Sequence, residues 1–210
     1  IELYDRYSQE SRDLHESLVA TGLSQLGVVI DADGFLPEGL VSPFTYYLGY
    51  EKGKPLYFNQ VPVPAFWEIS GNNQSARIED MTEERAVIHY ADGMQARLVK
   101  QVDWKDLEGR VRQVDHYNRF GACFATTTYS ADSEPIMTVY QDVNGQEVLL
   151  ENHVTGDILL TLPDQSMRYF ANRVEFITFF LQDLGLDKHQ IVFNTLATPF
   201  LVSFHHPDKS

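Results

Sequence analysis

Ile136-Met137-Thr138-Val139-Tyr140-Gln141-Asp142-Val143-Asn144-Gly145-Gln146-Glu147-Val148-Leu149-Leu150-Glu151 holds two β-rich runs joined at Asn144-Gly145. Asn and Gly are the residues that best tolerate positive φ, so the pair predicts a hairpin closed by a type I′ turn. Working outward, further turn signals stand at Ala91-Asp92-Gly93, Leu107-Glu108-Gly109, Arg119-Phe120-Gly121, Ala131-Asp132-Ser133, Thr155-Gly156-Asp157 and Pro163-Asp164. Short, regular spacing of this kind predicts an antiparallel meander. Polar residues within it, as in Arg97-Leu98-Val99-Lys100-Gln101-Val102-Asp103, imply one wet face and edges open to a partner.

The two ends read differently. Ser8 can cap a first helix that carries Leu14 and Leu18 on one face and is closed by Gly22. Gly27-Val28-Val29-Ile30 then predicts a buried parallel strand opening into the polar loop Asp31-Ala32-Asp33-Gly34. Near the other end, Asn172 and Glu175 suggest a capped helix with Val174, Ile177, Leu181 and Leu184 at helical spacing up to Gly185. Ile191-Val192-Phe193 reads as a further strand, opening into Asn194 and Thr195. The expected fold class is α/β with an inserted extended antiparallel β-sheet: an α/β lobe over 1–55 and 170–210, and the sheet over 60–169. Pro62-Val63-Pro64-Ala65-Phe66-Trp67 marks the hinge between them, with Trp67 packed at the junction.

Composition narrows the function. Thirty acidic side chains against 16 basic ones give a formal charge of -14, which repels phosphate backbones, so no nucleic-acid partner is expected. The single Cys123 sits in an apolar run and reads as a small buried hydrophobe in a reducing compartment. No leader and no long apolar run are evident, so a cytoplasmic location is expected, compatible with peripheral placement at the inner face of the cell membrane.

No nucleophile elbow, phosphate loop, HExxH or zinc-type cysteine pair occurs, so no catalytic residue and no cofactor are assigned. Asp31 and Asp33 have a spacing that could serve a divalent metal, but this is also ordinary loop chemistry, and no metal site is expected. His205-His206 lacks a third ligand, and His116 and His153 show no ligand spacing. Asn73-Gln74-Ser75 is a sequon without an export signal. Ligands of open sheets lie outside the carboxyl ends of the strands, which makes Asp31, Asp33, Asn194, Thr195 and Thr198 the candidate ligand-binding residues.

A family resemblance rests on five segments: Ile1-Glu2-Leu3-Tyr4-Asp5, Pro55-Leu56-Tyr57-Phe58-Asn59-Gln60-Val61-Pro62-Val63-Pro64-Ala65-Phe66-Trp67-Glu68-Ile69, Val114-Asp115-His116-Tyr117-Asn118, Glu151-Asn152-His153-Val154-Thr155-Gly156-Asp157-Ile158, and Thr198-Pro199-Phe200-Leu201-Val202-Ser203. Together they resemble the GtfB family, the stabilising subunits of the accessory Sec system O-GlcNAc transferase that glycosylates serine-rich-repeat adhesins. Members are longer, so the resemblance implies that this chain corresponds to their N-terminal half. It further implies the Rossmann-like lobe of a GT-B-type glycosyltransferase with an inserted sheet. The implied role is non-catalytic: a chaperone-like subunit that pairs through the β-sheet with a catalytic glycosyltransferase homologue using UDP-GlcNAc. That subunit would hold the Ser/Thr-rich adhesin acceptor polypeptide. Two alternatives stand beside it, a catalytic glycosyltransferase lobe and a free-standing carbohydrate-binding module.

Overall fold

A computed structural model describes residues 1–23, 26–91, 96–186 and 189–205. The turn signal at Asp92-Gly93 and His206 lie outside the described residues. The chain opens with β1 (Glu2–Tyr4), α1 (Gln9–Ala20), β2 (Gly27–Val29), β3 (Leu40–Val41) and α2 (Pro43–Leu48). A meander follows: β4 (Glu68–Gly71), β5 (Ser75–Asp80), β6 (Glu83–Tyr90), β7 (Val99–Lys105), β8 (Val111–Tyr117), β9 (Cys123–Tyr129), β10 (Pro135–Gln141), β11 (Glu147–Asn152), β12 (Ile158–Thr161) and β13 (Met167–Phe170). The helices α3 (Arg173–Asp183) and α4 (Thr198–His205) complete it. No helix among the described residues is long and apolar enough to cross a membrane.

The first three strands pair in parallel in the order β1-β2-β3, and β1 and β2 are buried throughout, as the apolar runs dictate. The strand expected at Ile191-Val192-Phe193 is reduced to one parallel bridge, Val192 to Glu2. Val192 N–H donates to the Ile1 carbonyl, and Leu3 N–H to the Val192 carbonyl. Ser8 caps α1 by accepting the Ser11 N–H, and Leu14 turns toward Tyr4, Val29 and Leu36. Asn172 caps α3 by accepting the Glu175 N–H at 3.0 Å. The Glu175 carboxylate returns to Ala171 N–H, one residue earlier than a strict capping box requires. The buried stripe of α3 is Phe176, Ile177, Phe180 and Leu181, with Val174 and Leu184 at its margins.

All ten strands of the second sheet pair antiparallel with their sequence neighbours. The β10-β11 hairpin departs from the expected turn type. Gly145 has φ +75 but Asn144 is not at positive φ, so the loop is not type I′. Gly145 N–H donates to the Asp142 carbonyl, and the Asp142 carboxylate accepts the N–H groups of Asn144 and Gln146. This Asp-capped three-residue loop with a left-handed glycine introduces a register shift between Tyr140 and Gln141. Two turns lacked a clear sequence signal: Asn72 accepts the N–H groups of Gln74 and Ser75 between β4 and β5, and Met81 takes φ 57 between β5 and β6.

Residues alternate between the two faces of a strand, and the sheet uses this to bury opposite faces in its two halves. On one face of β5 to β7, Ala76, Ile78, Ala86, Ile88 and Val102 pack under Leu56, Phe58, Val61, Val63 and Trp67. The opposite face of β9 to β13 carries Ala125, Tyr140, Leu149, Leu160, Ile158 and Phe170, which join Leu3, Val28, Phe44 and the α3 stripe in one core. Phe44 lies 4.6 Å from Tyr140 between ring centroids. Each such large side chain contributes about 1.5–3 kcal/mol by leaving water, so this core ties lobe to sheet.

The loop after β2 seals the junction through Gly34. Its carbonyl accepts the Arg119 N–H at 2.8 Å, and a Cβ there would meet the Tyr117 carbonyl and lie 2.7 Å from Asn118 Cα. Gly34→Ala is therefore expected to destabilise the protein by about 1–3 kcal/mol through backbone overpacking. Equilibrium denaturation checks this, and an unchanged midpoint would show that the loop does not seat on β8.

Candidate functional site

Where the cover passes from one face of the sheet to the other, polar side chains of the central strands are left facing a cleft of about 450 Å³. Its floor is Gln101 of β7, His116 of β8, Thr127 of β9, Thr138 and Tyr140 of β10, and Glu151 of β11, with His153 just beyond. The walls are the loop after β2, contributing Asp31, Ala32 and Asp33, and the start of α3, contributing Arg173. Lys100 stands 3.8 Å from Asp33, and Arg173 stands 3.7 Å from Glu151, so each cation on the rim has an acidic neighbour.

The floor is a continuous chain of hydrogen bonds across β8, β9 and β10 to the residue just past β11. His116 Nε2 lies 3.0 Å from Thr127 Oγ1, Thr127 Oγ1 lies 2.8 Å from Thr138 Oγ1, and Thr138 Oγ1 lies 2.7 Å from His153 Nε2. Thr127 and Thr138 are 6% and 4% exposed, so these hydroxyls have almost no water to fall back on. Tyr140 OH donates to Glu151 at 3.2 Å. Burial holds the Tyr140 hydroxyl protonated, and Glu151 reinforces this. Burial also lowers the His116 pKa, against the pull of Asp103, Asp115 and Asp31, which favours neutral imidazole. No group of three or more His, Cys, Asp or Glu side chains among the described residues is arranged to hold a metal ion. The floor instead offers hydroxyls, an amide and imidazole beneath a rim of paired charges, chemistry suited to hydrogen-bonding a polar chain or sugar.

Asp31 and Asp33 therefore reach one cleft. Asp33 Oδ1 is occupied by the Phe35 N–H at 2.9 Å, so only its other oxygen faces Lys100. Asn194, Thr195 and Thr198 are not in the wall of this cleft. Asn194 donates to Ser11 at the start of α1, Thr195 Oγ1 is buried without a partner among the described residues, and Thr198 begins α4. The carboxyl end of β1 stands between the two groups, since Asp31 N–H donates to the Asp5 carbonyl and Ser11 donates to the Arg6 carbonyl. The candidate residues thus follow one edge of the parallel sheet without converging on one pocket. His116, Thr127, Thr138, His153, Lys100 and Arg173 were not anticipated. A signal existed: 116, 127 and 138 recur at the hairpin period, which puts them on one face once register is known.

Further along the same face, His89 Nε2 is 2.8 Å from Asp103, which also accepts from Gln101. The hydrogen bond to Asp103 raises the His89 pKa, outweighing burial. Histidine-ring titrations followed by NMR should place His89 above the ordinary value of 6.5 and His116 below it. The stability signs are opposite. The His89 contribution is complete below 6.5 and is lost as pH rises through its raised midpoint. That of neutral His116 is complete above 6.5 and is lost as pH falls through its lowered midpoint. Asp103→Asn should bring the His89 midpoint down, and an unmoved midpoint would show that the pair does not form.

Comparison with known proteins follows the same boundaries. The GtfB N-terminal domain family matches residues 1–47, the GtfB middle domain matches 67–171, and the GtfB third domain matches 173–210. The chain is 90% identical over 210 residues to the "UDP-N-acetylglucosamine--peptide N-acetylglucosaminyltransferase stabilizing protein GtfB" of Streptococcus pneumoniae serotype 4, covering 100% of this chain and 47% of that protein. It is 55% identical to the protein of the same name from Streptococcus gordonii, over 97% of this chain and 46% of that one. A crystal structure of a GtfA/B complex bound to UDP and GlcNAc contains a chain with 54% identity and a TM-score of 0.93, covering 97% of this chain and 46% of that chain. A complex of accessory secretory proteins 1, 2 and 3 from Streptococcus pneumoniae shares the fold alone, at 10% identity and a TM-score of 0.73, over 98% of this chain and 50% of that one. The chain spans about half the length of the curated relatives it matches. With half of its residues matched by the middle-domain model alone and further stretches on either side by the N-terminal and third-domain models, the chain belongs to the GtfB family.

Proposed function

We propose that this chain is the acceptor-holding, non-catalytic part of a protein O-GlcNAc transferase complex, acting in the cytoplasm or at the inner face of the cell membrane. It stabilises a catalytic, UDP-GlcNAc-using homologue and presents a Ser/Thr-rich adhesin polypeptide to it. In this reading 1–55 and 170–210 form the Rossmann-like lobe of a GT-B-type architecture, with 60–169 inserted. The observation that carries it is the open cleft between the Asp31–Asp33 loop and the sheet, whose floor of hydroxyl, amide and imidazole groups and rim of charge-paired side chains suit hydrogen bonding to a hydroxyl-rich chain. The relatives' name, stabilizing protein of a peptide N-acetylglucosaminyltransferase, supports it, as does the likeness to a chain of a GtfA/B complex.

The partner surface we assign to the β10–β13 part of the face opposite the lobe, where no described segment packs. Register places Val139, Leu150, Leu159 and Tyr169 in one cross-strand row there, opposite the face that carries Tyr140 and Leu149. None of the four belongs to the core, and Tyr169 is 65% exposed. A row of apolar side chains on an extended sheet suits face-to-face packing with a homologous sheet.

Both assignments are tested on the full-length protein with its catalytic partner. Asp31→Ala with Asp33→Ala is expected to weaken binding of a Ser/Thr-rich acceptor peptide about tenfold, as loss of two hydrogen-bonding groups would, while co-purification with the partner persists. Leu159→Lys with Tyr169→Lys should do the reverse. Unchanged acceptor affinity in the first variant, with loss in Asn194→Ala and Thr198→Ala, would move the acceptor to the other end of the strand edge.

A further inference from the structure

The hydrogen bonds on the cleft floor can be counted. Three contacts join His116, Thr127, Thr138 and His153, but the two threonines bring only two hydroxyl hydrogens. The third hydrogen must come from an imidazole. In the closed arrangement one ring donates from Nε2, both threonines point the same way along the row, and the other ring accepts at Nε2 with its own hydrogen on Nδ1. Every hydroxyl hydrogen is then spent inside the row. If both rings donate, four hydrogens serve three contacts. One threonine accepts from both sides, and its hydrogen is free to point into the cleft.

We propose that the His116-Thr127-Thr138-His153 row is a proton-coupled hydrogen-bond switch. A carbonyl or hydroxyl oxygen of the bound acceptor takes the freed threonine hydrogen, while the accepting imidazole gains a proton at Nε2 from solvent. The proton count balances, because the row gains one hydrogen and hands one donor contact to the ligand. The row thus has two arrangements: in one both hydroxyls point the same way, and in the other one of the two buried threonines turns its hydrogen out of the row while its neighbour keeps its direction. Around His116 stand Asp31 and Asp33 from the loop after β2, Lys100 and Asp103 from β7, Asp115 on its own strand and Tyr129 from β9. Around His153 stand Tyr140, Glu151 and Arg173. Burial lowers the His116 pKa, which keeps that ring neutral until a ligand takes the free donor. The switch gives the acceptor site a preference for ligands that offer oxygen acceptors, and an affinity that rises as pH falls.

This inference rests on the cleft being the acceptor site, and the test separates the two. Calorimetry of a Ser/Thr-rich peptide binding to the full-length protein in complex with its partner, near pH 7 in buffers of different ionisation enthalpy, is expected to show uptake of a fraction of one proton. Thr138→Val should abolish the uptake and weaken binding about threefold to tenfold, and Thr138→Ser should restore both. In 15N-histidine spectra of the full-length protein, Thr138→Val should also change the tautomer at His116, two strands away, and Thr138→Ser should not. Weakened binding by the valine variant with no proton uptake in the parent would overturn the switch and leave the acceptor site standing. Unaltered His116 nitrogens in the valine variant would overturn it without reference to the acceptor. Parental affinity in the valine variant would sink both readings.

Discussion

A ten-stranded antiparallel sheet presents alternate residues to two faces, and this chain has only enough cover for half of each. The segment around 56–67 packs on one face over β5 to β7, and the parallel lobe with α2 and α3 packs on the other over β9 to β13. That alternation of cover is the constraint on which the rest depends. It fixes register, because a slip of one residue in β8 or β9 would send Val102, Ala125 or Tyr140 to the wrong side. It also leaves the middle of the sheet without cover on the lobe side, and His116, Thr127 and Thr138 occupy that gap.

Polar residues in such a gap would be costly if left alone, and here they satisfy one another. The His-Thr-Thr-His row and the Tyr140-Glu151-Arg173 group pair most of the hydrogen-bonding atoms that the change of cover exposes. The other face solves the same problem with Asp115, whose carboxylate accepts from Trp104, Gln113 and Thr126. Asp115 is thereby saturated by its own strands, whereas the cleft keeps Lys100 and Asp31 on its rim. The difference separates a structural carboxylate from a surface able to receive a ligand.

Family membership and geometry contribute different things. The relatives, which are about twice as long, define what the chain belongs to, and their likeness covers both lobe and sheet. They do not single out side chains. The cleft, the apolar row on the far face and the strand edge with Asn194 are distinct surfaces, so the acceptor and the partner proposed above would not compete for the same residues.

Local chemistry determined much of this from sequence alone. Turn residues between β7 and β13, the caps Ser8 and Asn172, and the apolar run 27–30 each act within a few residues, so the meander, two helices and a parallel strand were legible. Where neighbours compete, legibility failed. Asn144-Gly145 satisfies a type I′ turn, but the Asp142 carboxylate, two residues before Asn144, captures the loop amides and selects another loop. Ile191-Val192-Phe193 has strand character, yet only Val192 forms a bridge to β1. The site was decided by tertiary structure. Asp31 and Asp33 could be named from a loop after a strand, but their opposition to His116 and Thr138 depends on cross-strand register and on Gly34 letting the loop touch β8. Contacts between residues so far apart in sequence are set by burial of the whole sheet, which no local pattern encodes.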